Sequence, residues 1–231
     1  MRRGHRHGDL TAVPAYHPTR SDDMILVHHL RIGRAVFTVW LLEEMGLDYE
    51  LKIYLRDETG RAQDDLKQAH PLGKSPVIED GDLTLAESGA IAAYLLDRYD
   101  TDARFAPPRS DVKAYAIFTQ WLHYPEGSAF APLLMMLLLS REQAPKPPVI
   151  EAFAKSEVDR QLAYIQGQIG DKPFLLGDRI QAPDIGVTYV VHLARRLGAL
   201  EGYPVLGAYL DRQLARPAFQ RACERSGERV T

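Results

Sequence analysis

The stretch from His70 to Gly89, His-Pro-Leu-Gly-Lys-Ser-Pro-Val-Ile-Glu-Asp-Gly-Asp-Leu-Thr-Leu-Ala-Glu-Ser-Gly, is compatible with few folds. A Pro/Gly-rich turn leads into the short apolar run Val77–Ile78. Asp80-Gly81 then signals a hairpin, because glycine supplies the positive φ such a turn needs. Leu83 and Leu85 alternate with polar residues as a second strand, and Glu87-Ser88-Gly89 opens a helix. Pro76 withdraws a backbone donor at the head of the first strand and pushes the residue before it toward extended geometry. With a cis Ser75–Pro76 bond, the Ser75 main chain becomes an edge on which an extended peptide can pair. The first amides of the Ser88 helix form a carboxylate site beside that edge. An edge for a peptide next to an end for a carboxylate describes the binding site of a small peptide.

The rest of the chain frames this stretch. Met24–His28 is a compact apolar run suited to a buried parallel strand. Ala35, Val39 and Leu42 recur at helical spacing, Gly46 is placed to stop that helix, and Tyr49–Tyr54 alternates as a second strand, which completes a βαβ unit. Asp57–Ala69 is charged and helix-tolerant, and a helix is expected over Glu87–Tyr99. Pro-rich residues 100–110 read as an interdomain linker, and beyond them the strand signals stop. Asp111–Ser140 is expected as one long helical stretch bent at Gly127 and Pro132. Further helices follow over Val149–Ile169, Ala182–Leu197, Pro204–Leu214 and Pro217–Arg225. The organisation is an arm at 1–23, an α/β domain at 24–99, the linker, and an all-helical domain at 111–231. Gln181, a poor N-cap, precedes the Ala182 helix, so its capping box with Asp184 is expected to be half made.

Composition narrows the function classes. A formal charge of −3 over 231 residues argues against nucleic acid as the main partner. The single cysteine, Cys223, rules out an internal disulfide framework and a Cys-x-x-Cys redox motif, so a reducing, cytoplasmic location is expected. The eight histidines are scattered without metal-ligand spacing, so no metal is expected. The longest apolar run, Ala129–Leu139, is interrupted by Pro132 and is too short to span a bilayer, so no membrane is expected either.

Pro-Leu-Gly-Lys-Ser-Pro, followed about ten residues later by Ala-Glu-Ser-Gly-Ala-Ile, resembles the glutathione-binding signature of glutathione S-transferases. Trp40–Glu50 is similar to that family's first helix and second strand, and Tyr124–Ser128 and Ala182–Ile185 to its helical half. The resemblance covers roughly Met24 to Phe219. It implies a thioredoxin-like βαβ-α-ββα domain followed by an all-helical one. It also implies an enzyme that joins the thiol of glutathione, its co-substrate, to a small apolar electrophile, with no metal or nucleotide.

On the matching positions, the resemblance implies that Ser88 and the first helical amides hold the γ-glutamyl carboxylate, and that Glu87 takes the ammonium group. The main chain of Ser75, fixed by Pro76, pairs with the cysteinyl unit, and Lys74 or His70 reaches the glycyl carboxylate. Each has a structural alternative: Ser88 as a plain N-cap, Glu87 as a charge suited to a helix start, His70 as a loop cap. Tyr124 and Phe130 are candidates for the wall of an electrophile pocket. Tyr124 is a candidate substitute donor to the thiol, or a core tyrosine with a satisfied hydroxyl. Members of the family are two-fold dimers, and a homodimer along Glu87–Tyr99 and Asp111–Ser140 is expected.

The match departs from the family at the thiol end. In the branch with Ser-Arg after an apolar-His strand, the serine hydroxyl donates to the glutathione sulfur, and that position falls on Gly33, followed by a matching Arg34. The remaining thiolate stabilisers are the amides and dipole of the first helix, together with Arg34. Restoring a serine at Gly33 is expected to raise activity if the missing hydroxyl is the defect. Three readings stay open: conjugation, glutathione-dependent disulfide or peroxide reduction on the same scaffold, and a non-catalytic carrier or interaction protein.

Overall fold

The computed structural model describes residues 24–62 and 64–228; the expected arm at 1–23 lies outside them. The first half consists of β1 (Ile25–Leu30), α1 (Ala35–Met45), β2 (Tyr49–Tyr54), α2 (Leu66–Ala69), β3 (Val77–Asp80), β4 (Leu83–Ala86) and α3 (Ser88–Tyr99). The second half is helical. It comprises α4 (Val112–Tyr124), a π-helical turn (Pro125–Ala129), α5 (Phe130–Arg141), α6 (Pro148–Ile169), α7 (Ala182–Arg196), α8 (Pro204–Leu214) and α9 (Pro217–Ser226).

The sheet has the order β2-β1-β3-β4. Parallel pairing of β1 with β2 runs from Ile25↔Tyr49 to Leu30↔Tyr54, and the strand continues two residues beyond the expected His28. The antiparallel β1–β3 ladder is shorter, from Leu26↔Glu79 to His28↔Val77, and the hairpin pairs Val77–Asp80 with Leu83–Ala86. Together these make the thioredoxin-like arrangement, with the helical domain following it.

Two stretches differ from the sequence reading. Most of Asp57–Ala69 is not helical: residues 57–61 form a turn and only Leu66–Ala69 is α-helix. The Asp57 carboxylate accepts from the Thr59 amide, the Thr59 hydroxyl and the Arg61 amide, and so competes with the backbone bonds a helix would need. The helical stretch expected over 111–140 runs without a gap through a π-helical turn that opens with Pro125 and contains Gly127, whereas Pro132 falls in the first turn of α5, where its missing N–H costs little. The Asp184 half of the α7 capping box is made: the Gln181 amide donates to Oδ2 at 2.9 Å. The Gln181 side-chain oxygen has no partner among the described residues, and the Asp184 amide is taken by the Gln181 main-chain carbonyl.

The two halves share a core. Trp40 and Phe37 of α1 pack on Phe219 of α9 and Tyr189 of α7, with Trp40–Phe219 and Phe37–Tyr189 ring centroids both 5.1 Å apart. Around this aromatic cluster, the paired glutamates of Trp-Leu-Leu-Glu-Glu reach α9. Glu44 takes a two-pronged bond from Arg216 (2.5 and 2.8 Å) and Glu43 one from Arg221 at 2.7 Å. The motif thus joins an apolar face that docks α9 to an acidic edge that fixes its position.

Candidate functional site

The Ser75–Pro76 peptide bond is cis and Pro76 is buried. The β1–β3 ladder ends at His28↔Val77, and beyond it the Ser75 side chain replaces the next rung. Its hydroxyl donates to the His28 carbonyl at 2.7 Å and accepts the Leu30 amide at 3.1 Å. The serine side chain satisfies β1, so the Ser75 main chain stands outside the ladder as an edge.

Beside this edge, α3 begins at half-buried Ser88 with no side-chain cap on its first amides. The residue before it, Glu87, holds φ 72°, a region that residues other than glycine rarely enter and that recurs where structure serves a site. Glu87 and Lys74 are exposed charges of opposite sign, and neither has a side-chain hydrogen bond or ion pair among the described residues. His70 caps its own loop, with Nδ1 accepting the Leu72 amide at 3.4 Å.

A narrow cavity of about 50 Å³ runs between the domains from Ser88 and Gly89 to Arg34, walled by Phe37, Leu41, Ile91, Leu122 and Tyr189. Arg34 is not a lone cation there. It ion-pairs with Glu126 of the π-helical turn, and its guanidinium lies 4.5 Å over the Phe130 ring. Phe130 in turn packs 5.5 Å from the Tyr189 ring, against the wall of this cavity. Burial pushes the Tyr189 hydroxyl up to about 12, so it stays protonated at neutral pH.

Tyr124 is not positioned as a thiol donor. Its hydroxyl donates to Gln161 of α6 and its ring packs on Trp121 and Tyr164 (4.8 and 5.4 Å), so the core-tyrosine alternative describes it. Burial, with the neighbouring Tyr164, raises its pKa well above the ordinary tyrosine value.

The β1–α1 loop, which carries Gly33, is held from both sides. Arg56 donates from Nε to the Arg31 carbonyl (3.0 Å), from Nη2 to the Ile32 carbonyl (2.7 Å) and from Nη1 to the Gly60 carbonyl (2.6 Å). The Glu228 carboxylate accepts from His29 Nε2 at 3.0 Å and from the Ile32 amide at 2.5 Å. Burial raises the Glu228 pKa, but the bonds from His29, Ile32 and Gly33 outweigh it and hold the group below its ordinary range. Between these clamps Ile32 sits at φ 59°, an outlier for a β-branched residue. A Cβ on Gly33 would lie 3.0 Å from the Leu30 carbonyl oxygen and 3.2 Å from Arg56 Nη2. A side chain here would fit only if the Leu30 carbonyl and Arg56 gave way by a few tenths of an ångström, so the gain expected from Gly33→Ser depends on that movement.

Sequence reasoning missed Arg56, Glu126, Tyr189 and Glu228. Arg56 carried a local signal, the Arg56-Asp-x-Thr-Gly60 turn directly after β2, and Glu126 lay within the Tyr124–Ser128 stretch. His28 is buried: Nδ1 bonds the Tyr54 hydroxyl (2.7 Å) and Nε2 bonds Glu79 (2.8 Å). Burial first, and the charge of Glu228 second, push the Cys223 thiol up to about 11, far from a reactive thiolate. Among the described residues no three His, Cys, Asp or Glu side chains gather as a metal site, and no helix is long and apolar enough to cross a membrane.

Comparison with known proteins shows the family. Residues 22–97 match the family model for the glutathione S-transferase N-terminal domain, and residues 140–212 match that for the C-terminal domain. The chain is 28% identical to glutathione S-transferase 1 of Saccharomyces cerevisiae, over 88% of this chain and 95% of that protein. It is 34% identical to a glutathione S-transferase structure from Actinobacillus pleuropneumoniae, with a TM-score of 0.81, covering 90% of this chain and 94% of the other. A family member from Pseudomonas fluorescens, solved with two glutathione bound, shares the fold at a TM-score of 0.77 and 23% identity, covering 90% of this chain and 95% of that one. An open edge at Ser75, an uncapped helix start at Ser88 and an apolar space between the two domains thus sit in a chain that belongs to the glutathione S-transferase family.

Proposed function

We propose that this chain binds glutathione across the Ser75 edge and the α3 N-terminus and joins its thiol to a small apolar electrophile. The observation that carries this reading is the pairing of an unladdered main-chain edge at Ser75 with the uncapped α3 start at Ser88. A γ-glutamyl carboxylate on the α3 amides and the Ser88 hydroxyl places the ammonium group near Glu87 and the cysteinyl unit on Ser75. The glycyl carboxylate then meets Lys74, with His70 the weaker candidate because one of its ring nitrogens already caps its loop. The thiol end lies at the Gly33–Arg34 loop, and the electrophile enters the interdomain space beside Phe130 and Tyr189.

The test is calorimetric titration of the wild-type chain and Ser88→Ala with glutathione. The variant loses a contact to a charged group, and roughly tenfold weaker binding is expected. An equal dissociation constant would remove Ser88 from the site, and no binding by the wild type would overturn the reading altogether.

Glutathione-dependent reduction of disulfides or peroxides is the second reading, favoured by the absence of any hydroxyl at Gly33. Turnover of a glutathione mixed disulfide without conjugation of a model electrophile would select it. For the assembly we read a homodimer, supported by apolar side chains left exposed on α4 and α5, among them Ile117 (42%) and Leu138 (57%). A monomer in sedimentation would count against it. A cytoplasmic setting fits a chain whose one cysteine is unpaired.

A further inference from the structure

We propose that Arg56 is the cation of the thiol end, taking the place of the hydroxyl that Gly33 lacks and holding the glutathione sulfur as a thiolate. The inference rests on the glutathione-binding reading above and adds to it a catalytic residue outside the Gly33–Arg34 pair.

Its position follows from the sheet. The β1–β2 ladder ends at Leu30↔Tyr54, and Arg56, two residues on, reaches across to the loop that leaves β1. A Cβ on Gly33 would lie 3.2 Å from Arg56 Nη2, so the guanidinium stands beside the place where a side chain at 33 would begin. Although exposed, Arg56 is held in place. Three of its donors are fixed on the carbonyls of Arg31, Ile32 and Gly60. The turn behind it is closed by the Asp57–Arg61 bond at 2.8 Å, the Asp57 carboxylate and a bridge from Arg56 to Ala62. A guanidinium has five N–H donors, so two remain for a ligand.

The other candidates for this role already have partners. Arg34 is paired with Glu126, and the Ile32 and Gly33 amides face the Glu228 carboxylate, with His29 behind it. Arg31 is exposed and reaches the Gly227 carbonyl at 3.3 Å, a single bond that does not lock it on the loop as the three bonds of Arg56 do. The Glu228 charge raises the pKa of any thiol near it, as it does for Cys223, and a second cation at the loop offsets that field. In the step assigned to Arg56 the glutathione S–H bond breaks, the proton leaves to water, and the sulfur keeps the electron pair against an Nη–H donor.

The experiment uses the full chain, wild type, Arg56→Gln and Arg56→Lys, each saturated with glutathione as judged by calorimetry. The bound thiol is titrated through its ultraviolet thiolate absorbance against pH. The expected result is a depressed thiol pKa in the wild type, a rise of about one unit or more in Arg56→Gln, and a value close to wild type in Arg56→Lys. Equal pKa values in wild type and Arg56→Gln overturn the proposal. So does a rise of the same size in both variants, because lysine keeps the charge but loses the fork that clamps the loop, and the effect would then belong to the clamp. Should Arg56→Gln fail to fold, Arg56→Met takes its place as the charge-removing variant: a raised thiol pKa there, with a wild-type value in Arg56→Lys, supports the assignment, and a wild-type value in Arg56→Met overturns it. Absence of glutathione binding in the wild type is a different result and counts against the glutathione reading itself.

Discussion

Glu228 and Ile32, 196 positions apart in the sequence, meet through a 2.5 Å hydrogen bond in which the Ile32 amide donates to the carboxylate. The same oxygen accepts from buried His29, so the last described residue of the chain ties down the loop that leads into α1. Glu228→Ala leaves a buried imidazole and the loop amides without their acceptor and is expected to cost about 2–3 kcal/mol in chemical denaturation. The sign with pH follows from the lowered carboxyl pKa. The contribution is complete above the ordinary value of 4.5 and is lost as pH falls through the lower folded-state value. Wild type and variant should therefore converge in acid. A gap that stays constant to low pH would show that charge has no part in it.

At Gly33 the expected direction is the reverse of what the family pattern suggests. A Cβ there presses on the Leu30 carbonyl, a backbone atom that cannot rotate away. Gly33→Ala and Gly33→Ser are both expected to lower stability by about 1–3 kcal/mol, with no gain in conjugation for the serine. Thermal melts of both variants and a rate assay of Gly33→Ser check this. A serine variant that is both stable and faster would mean that the loop opens to receive it.

These two positions show what the sequence could and could not reveal. The strands, the hairpin, α1 with its Gly46 stop, the turn at Ser75–Pro76 and the helix start at Ser88 were legible, because turn chemistry and apolar period act over a few residues. The Arg34–Glu126 pair, the Arg56 clamp and the Glu228 tie were not, because each joins groups that only the folded chain brings together. Gly33 looked like a missing hydroxyl, and the reason for glycine, the close approach of Leu30 and Arg56, has no local signature. Tyr124 had two readings at equal spacing, and only its bond to Gln161 separates them.

The Arg34–Glu126 pair links the start of α1 to the π-helical turn, with both side chains about 29% exposed. In that partly screened position its coupling in a double-mutant cycle with Arg34→Ala and Glu126→Ala is expected at about 1 kcal/mol. Denaturant midpoints of the four proteins give the number. A coupling indistinguishable from zero would mean that this pair adds nothing to the aromatic core and the Glu43 and Glu44 ion pairs that join the domains.

On α7, two buried groups pull stability in opposite directions as pH changes. Burial pushes the His192 pKa down from 6.5 to about 4, and Nδ1 has no partner among the described residues. A depressed imidazole gives stability that is present above 6.5 and lost as pH falls through 4, on the order of 3 kcal/mol in all. Asp184, two turns earlier, is fully buried and is raised from 3.8 to about 6 by that burial, although it accepts from Leu175, Gln181 and Tyr209. A raised carboxyl gives stability that is present below 3.8 and lost as pH rises through 6, the opposite slope over nearly the same window. In the wild type the two nearly cancel. His192→Gln removes one of them, so the variant should gain on the wild type by a few kcal/mol between pH 6.5 and 4, read as the difference of urea midpoints at several pH values. Parallel curves would mean that His192 takes up its proton without cost in the folded state, which its burial between Arg195 and Arg196 on the same helix argues against.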